Sequence, residues 1–264
     1  MFADLGPEAI ALLCAAALAA GFVDAIAGGG GLITVPALLA AGLDPVSAIA
    51  TNKVQGSVGT ASATWTFWRA GKLDLHAIRL SLLLTLVGAA LGSVAVSLVD
   101  TRWLMLLLPA LLIAIALYFL LAPKVGEEDR HARLGPLAYG LVAGGIGFYD
   151  GFFGPGAGSF YTLSLVTLLG MGLIRATAHT KALNLTSNLV SVVVLGLGGH
   201  VVWALGGAMA AGQFIGGRLG SRAAMRWGPA LIRPLLVAIS LLMTAKLLSD
   251  PANPLRMMAA GFVR

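Results

Sequence analysis

The sequence predicts an all-α polytopic membrane protein made of two inverted repeats, with helices broken at glycine-rich loops. Three observations carry that prediction: an extreme apolar composition, long apolar segments separated by short basic loops, and a pair of motifs that occurs twice in the same order. Of the 264 residues, 58% are hydrophobic and 11% are charged, whereas soluble domains carry about 25% charged residues. A water-soluble fold would have to hide nearly all of this apolar surface, so a bilayer is the expected solvent. The formal charge of +6 does not point to nucleic acid, because the basic residues fall in short loops between apolar segments. The lone cysteine, Cys14, excludes an intrachain disulfide and a cysteine metal cluster. The first residues carry Asp4 and Glu8 but no Lys or Arg. Residues 9–27 are therefore expected to form a retained helix rather than a secretory leader.

Apolar segments run over about 8–27, 31–42, 46–68, 75–98 and 103–122, then 134–153, 158–172, 175–197, 200–218 and 230–248. Crossing a bilayer takes about 20 helical residues, so all but 31–42 and 158–172 are long enough or nearly so. The polar stretch KVGEEDRHARLG divides them into two sets of five. This predicts a first transmembrane repeat over 1–123, a cytoplasmic linker over 124–135 and a second repeat over 136–264. The sets resemble one another: GFVDAIAGGGG (21–31) matches GFYDGFFGPGAG (147–158), AIATNK (48–53) matches ATAHTK (176–181), and Gly88-x-x-x-Gly92 matches Gly212-x-x-x-Gly216. Ordered matches at nearly constant spacing are the mark of an internal repeat.

Lys and Arg are enriched in cytoplasmic loops. Arg69, Lys72, Arg79, Lys124, Arg130, Arg133, Arg175, Arg218, Arg222, Arg226 and Arg233 can all lie on one side. Arg102, Lys246, Arg256 and Arg264 remain for the other, and Lys53 and Lys181 fall at membrane depth. This puts the N-terminus outside, the linker inside and the C-terminus outside, so the halves cross in opposite senses. Trp65, Trp68, Trp103, Trp203 and Trp227 lie near segment ends, as an aromatic belt requires.

Four glycines at 28–31 would weaken a continuous helix by roughly 1 kcal/mol each relative to alanine. Irregular backbone survives in a membrane only where protein or a water-filled cavity satisfies it. The two glycine loops are therefore expected at a cavity where backbone N–H groups, among them those of Gly29, Gly30, Gly31, Gly156 and Gly158, can approach an anion beside a half-helix N-terminus. A tightly packed crossing is the plainer alternative, and it is the better reading for Gly88, Gly92, Gly212 and Gly216. Neither loop is a nucleotide fingerprint.

Ionisable groups at membrane depth cost about 2.5–3.5 kcal/mol each on insertion scales, which makes them functional candidates. Two matched pairs occur, Asp24 with Asp150 and Lys53 with Lys181. Thr51 and Asn52 accompany the first lysine, and His179, Thr180 and Asn184 the second. Lys181, Asn184 and Asn188 share one helix face. The lysines and amides are expected to bind a small oxyanion, with the aspartates organising the glycine loops or exchanging protons. The alternatives are structural Asp–Lys ion pairs that lock helices together, a proton- or cation-coupled carrier, and an intramembrane hydrolase using Asp24 and Asp150 as an acid–base dyad. No HExxH or similar spacing exists, so neither metal nor cofactor is expected.

GFVDAIAGGGGLITVPALL with ATNK, and GFYDGFFGPGAGSFYTLSL with AHTKALNLTSN, resemble the two halves of the TauE/SafE family, bacterial permeases related to sulfite and sulfonates. The resemblance spans nearly the whole chain. It implies a multi-pass protein of the bacterial inner membrane that exports sulfite or a small organosulfur anion, with the lipid bilayer and that anion as its partners. The second half departs from the first in reading His-Thr-Lys for Thr-Asn-Lys and in placing Pro155 inside its glycine loop, which predicts an imperfectly symmetric site.

Overall fold

A computed structural model of the chain describes residues 6–100, 129 and 131–228. The expected segments 103–122 and 230–248, Trp103 and most of the linker lie outside the described residues. Within them, every regular element is a helix: α1 (Pro7–Ala27), α2 (Gly31–Ala40), α3 (Pro45–Arg69), α4 (Arg79–Leu98), α5 (Pro136–Phe152), α6 (Ala157–Leu169), α7 (Leu173–Leu197) and α8 (Trp203–Trp227).

Local chemistry sets the boundaries. Pro7, Pro45 and Pro136 open α1, α3 and α5 at the position where a missing N–H costs nothing. Asp44 caps α3 by accepting from the Ser47 N–H at 3.1 Å. The first helix of each half stops at its glycine loop. Gly28 takes φ +78° and its N–H returns to the Asp24 carbonyl at 2.7 Å, while Gly154 and Gly156 take φ +95° and +82°. Residues with a Cβ rarely adopt these angles, so the glycines end α1 and shape the turn into α6. The broken helices expected from the sequence are present in both halves.

By length and apolarity, α1, α4 and α7 are candidate membrane spans, and α2 and α6 are short apolar helices. Although α3 and α8 reach 25 residues each, they are more polar than the expectation of near-uniform spans. The reason is burial: α3 turns Thr51, Asn52, Lys53, Gln55, Ser57, Thr60 and Ser62 inward, away from lipid.

Helices of the two halves interlock reciprocally: α1 packs along α8, and α5 along α4. Both seams are backbone against backbone. A Cβ on Gly88 would lie 2.0 Å from the Gly144 carbonyl oxygen, and one on Gly216 would lie 2.1 Å from that of Leu18. Small-residue packing of this kind gives apolar helices their contact in a solvent with no hydrophobic drive between them. α3 and α7 pack against each other between these seams.

Several hydrogen bonds are duplicated across the halves. Thr34 Oγ1 donates to the Gly30 carbonyl at 3.1 Å and to Asn52 Oδ1 at 2.5 Å. Thr162 Oγ1 donates to the Gly158 carbonyl at 3.0 Å and shares a 3.0 Å bond with Thr180 Oγ1. Each residue in the second set lies 128 positions after its counterpart in the first. The same spacing relates the bond from the Val202 N–H to Thr51 Oγ1, 3.1 Å, to that from the Asp74 N–H to His179 Nε2, 3.3 Å.

Candidate functional site

The glycine loops meet at the centre of the bundle. A Cβ on Gly28 would fall 2.3 Å from the Gly158 carbonyl carbon, and one on Gly31 would fall 3.1 Å from Pro155 Cα. Ser159 Oγ donates to the Ala27 carbonyl and stitches α6 to the end of α1. Beside this junction is a small polar cavity of about 30 Å³. Asp24, Asn52, Lys53, Asp150, Asn184 and Asn188 contribute to its lining, together with Gln213 and the glycines at 28, 30, 31, 56, 154 and 158.

Each lysine pairs with the aspartate of the opposite half, an exchange that the sequence alone left open. Lys53 Nζ on α3 donates to Asp150 Oδ1 on α5 at 2.5 Å, and Ser187 Oγ on α7 donates to Asp150 Oδ2. Both side chains are almost fully buried. On the other side, Lys181 Nζ donates to the Asp24 carbonyl and lies 3.4 Å from Asp24 Oδ2. Asp24 Oδ1 accepts from the Gly30 N–H at 3.2 Å. Asp24 is the looser member, with a side chain 18% exposed. The two aspartates therefore differ. Both line the cavity, but Asp24 braces a glycine loop and is partly exposed, whereas both oxygens of Asp150 are engaged by Lys53 and Ser187.

The expected site residues divide into two groups. The geometry brings together Lys53, Asn52, Asn184, Gly30, Gly31, Gly158, Asp24 and Asp150 at the cavity; Lys181 stands behind Asp24, which it contacts, and is not itself in the lining. Thr51, His179 and Thr180 do not line it. Thr51 and His179 each hold the N–H of an incoming loop, and His179 Nδ1 also lies 2.7 Å from the Arg175 carbonyl. Thr180 is spent on Thr162. The helical turn carries these side chains to other faces of α3 and α7 than their neighbouring lysines. Gly29 and Gly156 also stand outside the lining; a Cβ on Gly29 would meet Leu32 and Val23.

Gln213 is the residue that the sequence reading missed. Its amide oxygen lies 2.5 Å from where a Cβ on Gly59 would stand and 2.7 Å from one on Gly21. The available signal was a single amide in the otherwise small and apolar run AMAAGQFIGG. It has no counterpart in the first half, so a search guided by the repeat passes over it. Asn184 Oδ1 is buried without a hydrogen-bond partner among the described residues. Such an atom on a cavity wall can be satisfied by a guest, either water or solute.

Apolar helices interlocked through glycine seams, with paired charges at the meeting point of two broken helices, define a membrane transport protein of the discontinuous-helix class. The profile of the sulfite exporter TauE/SafE family matches residues 13–247, and the chain belongs to that family. It is 51% identical over 247 residues to the probable membrane transporter protein YfcA of Escherichia coli strain K12, covering 93% of this chain and 92% of that one. It is 47% identical to the probable membrane transporter protein ORF9 of a Sinorhizobium species, covering 96% and 97% of the two chains. A probable membrane transporter protein of Haemophilus influenzae is 46% identical, at 94% and 97% coverage. No solved structure matches the chain.

Proposed function

We propose that the protein is a permease of the bacterial inner membrane that exports a small sulfur-containing anion, sulfite or an organosulfonate, through the cavity between its two halves. The observation that carries this reading is the convergence of Lys53, Asn52, Asn184 and the two glycine loops on one polar cavity. The family name supplies the substrate class. A dehydrated anion needs cations and oriented donors in place of its water, and these residues are the available ones. The cavity of about 30 Å³ holds little more than a water or two, so this is a closed state and loading requires the halves to part.

Two inverted repeats, 1–123 and 136–264 around the linker 124–135, are the architecture that suits such parting. The reciprocal seams and the duplicated hydrogen bonds support it. The sidedness is supported by the clustering of basic ends. Asp74, in the loop after α3, touches His179 near the start of α7, and Arg175 in the first turn of α7 pairs with Asp129 of the linker.

Because both lysines are engaged by aspartates, anion binding is coupled to those carboxylates. An incoming anion competes with a carboxylate for its lysine, and protonation of the carboxylate releases that lysine. The exposure of Asp24 favours it as the proton acceptor, which makes a proton-coupled carrier the second reading. The hydrolase reading has less support, since each aspartate is occupied by a different lysine.

The test is flux in proteoliposomes across sulfite, sulfoacetate, thiosulfate, sulfate and chloride, with and without a pH gradient. Selective movement of the sulfur anions, lost in Lys53→Met, is expected. Equal flux of every anion, or flux unchanged in the methionine variant, would overturn the reading.

A further inference from the structure

A second polar cleft lies away from the central cavity and shares none of its lining residues. The C-terminal end of α3 and the distal half of α8 enclose a cleft of about 300 Å³ lined by Trp65, Thr66, Arg69, Ala70, Arg218 and Arg222. Three arginines contribute to that lining. Among the described residues none of the three has a carboxylate partner, and no acidic residue lines the cleft. The Arg69 guanidinium carbon lies over the Trp65 ring at 5.8 Å from its centroid, a cation–π contact that holds the group at the cleft.

The repeat supplies an internal control. α3 and α7 correspond at a spacing of 128, and α4 and α8 at 124. The counterparts of Trp65 and Arg69 are then Val193 and Leu197, and those of Arg218 and Arg222 are Val94 and Leu98. All four counterparts are apolar and exposed. The same helical geometry thus carries an arginine cluster at one end of the molecule and plain apolar side chains at the other. A preference for basic residues in loops on one side accounts for the sign of the charge. It does not account for three arginines lining one cleft with no carboxylate partner among the described residues.

We propose that this cleft binds the phosphate of an anionic lipid headgroup in the leaflet on the linker side. Guanidinium forks match phosphate oxygens in pairs, and basic pockets between membrane helices on the cytoplasmic side suit such headgroups. Location favours a lipid over a free anion. Trp65 and Trp68 mark the interface, and the exposed side chains of Phe214, Ile215 and Leu219 lead from the cleft along α8, a surface suited to acyl chains. A soluble phosphate would use the arginines and leave that surface without a role.

The experiment uses the full chain in a neutral detergent and titrates phosphatidylglycerol, phosphatidylcholine with the same acyl chains, and inorganic phosphate. Bound lipid is read by native mass spectrometry and protection by the thermal midpoint. Phosphatidylglycerol is expected to bind saturably and raise the midpoint, with affinity falling roughly tenfold or more in Arg69→Gln/Arg222→Gln. Arg226→Gln, on the same helix but outside the cleft, is expected to bind like the parent. The three changed side chains are exposed, so folding is preserved, and single glutamine variants provide a second series. Equal binding of phosphatidylcholine, or unchanged affinity in the double variant and in every single variant, would overturn the proposal. Protection by inorganic phosphate equal to that by phosphatidylglycerol would assign the cleft to a soluble anion and overturn the lipid reading.

Discussion

Lys53 and Lys181 are the same residue in two copies of one motif, yet their surroundings set different roles. Lys53 and Asp150 are buried together, so Lys53→Met should leave an uncompensated carboxylate and destabilise the protein by about 3–5 kcal/mol. Asp150→Asn in the Lys53→Met background should recover much of that loss, as read by thermal midpoints of the single and double variants. Lys181→Met should cost less, because Asp24 is partly exposed and its carboxylate lies 3.4 Å from the ammonium. Equal losses from the two lysine changes would refute this distinction. At the same scale, Asp24→Asn keeps the size of the side chain while removing the charge that competes for Lys181. If Asp24 exchanges the coupled proton, the variant should bind anion with little dependence on pH, whereas the parent should bind more tightly as pH falls. Anion titrations at several pH values decide it.

Helix seams depend on the absence of side chains at particular positions. A Cβ at Gly88 would stand 2.0 Å from a backbone carbonyl oxygen, and one at Gly212 would stand 2.4 Å from another. Gly88→Ala and Gly212→Ala must push helices apart, at about 1–3 kcal/mol or more each. Gly145→Ala and Gly207→Ala meet nothing within 4 Å and should stay within about 1 kcal/mol of the parent. A thermal series over the four variants tests the seam. The corner between α6 and α7 is held from the linker: Asp129 accepts from the Gly172 N–H at 2.6 Å and pairs with Arg175. The Gly172 hydrogen bond and then Arg175 hold its carboxyl below the usual aspartate value of 3.8. A depressed folded value means that the contribution is present at neutral pH and fades as pH falls through that lowered value. The pair is half exposed, so Asp129→Asn should lower the midpoint only slightly at neutral pH. That difference should shrink under acid conditions.

Over the whole molecule, the basic ends should face one compartment. In a Cys14→Ser background, cysteines placed at Leu75 and His131 should react with an impermeant thiol reagent from the same side, and one at His200 from the opposite side. Labelling of all three from one side would refute the inverted topology. The helix-breaking loops were legible because consecutive glycines are costly in any membrane helix. The lysines and aspartates were legible because charge at membrane depth demands a reason. Gln213 escaped because it has no copy in the other half, and Arg69, Arg218 and Arg222 were legible only as markers of the basic side.

The sequence by itself determined the solvent, the helical class, the breaks and the identities of the central charges. Those follow from transfer energies and backbone conformations, which act residue by residue. Only the tertiary structure decided that each lysine pairs across the halves and that Asp24 is held more loosely than Asp150. It also decided that Thr51, His179 and Thr180 serve packing and loop contacts. The lysine–aspartate partners and the loop contacts of Thr51 and His179 are 97 to 157 positions apart along the chain. At that separation, helix packing and not local pattern chooses which polar group meets which.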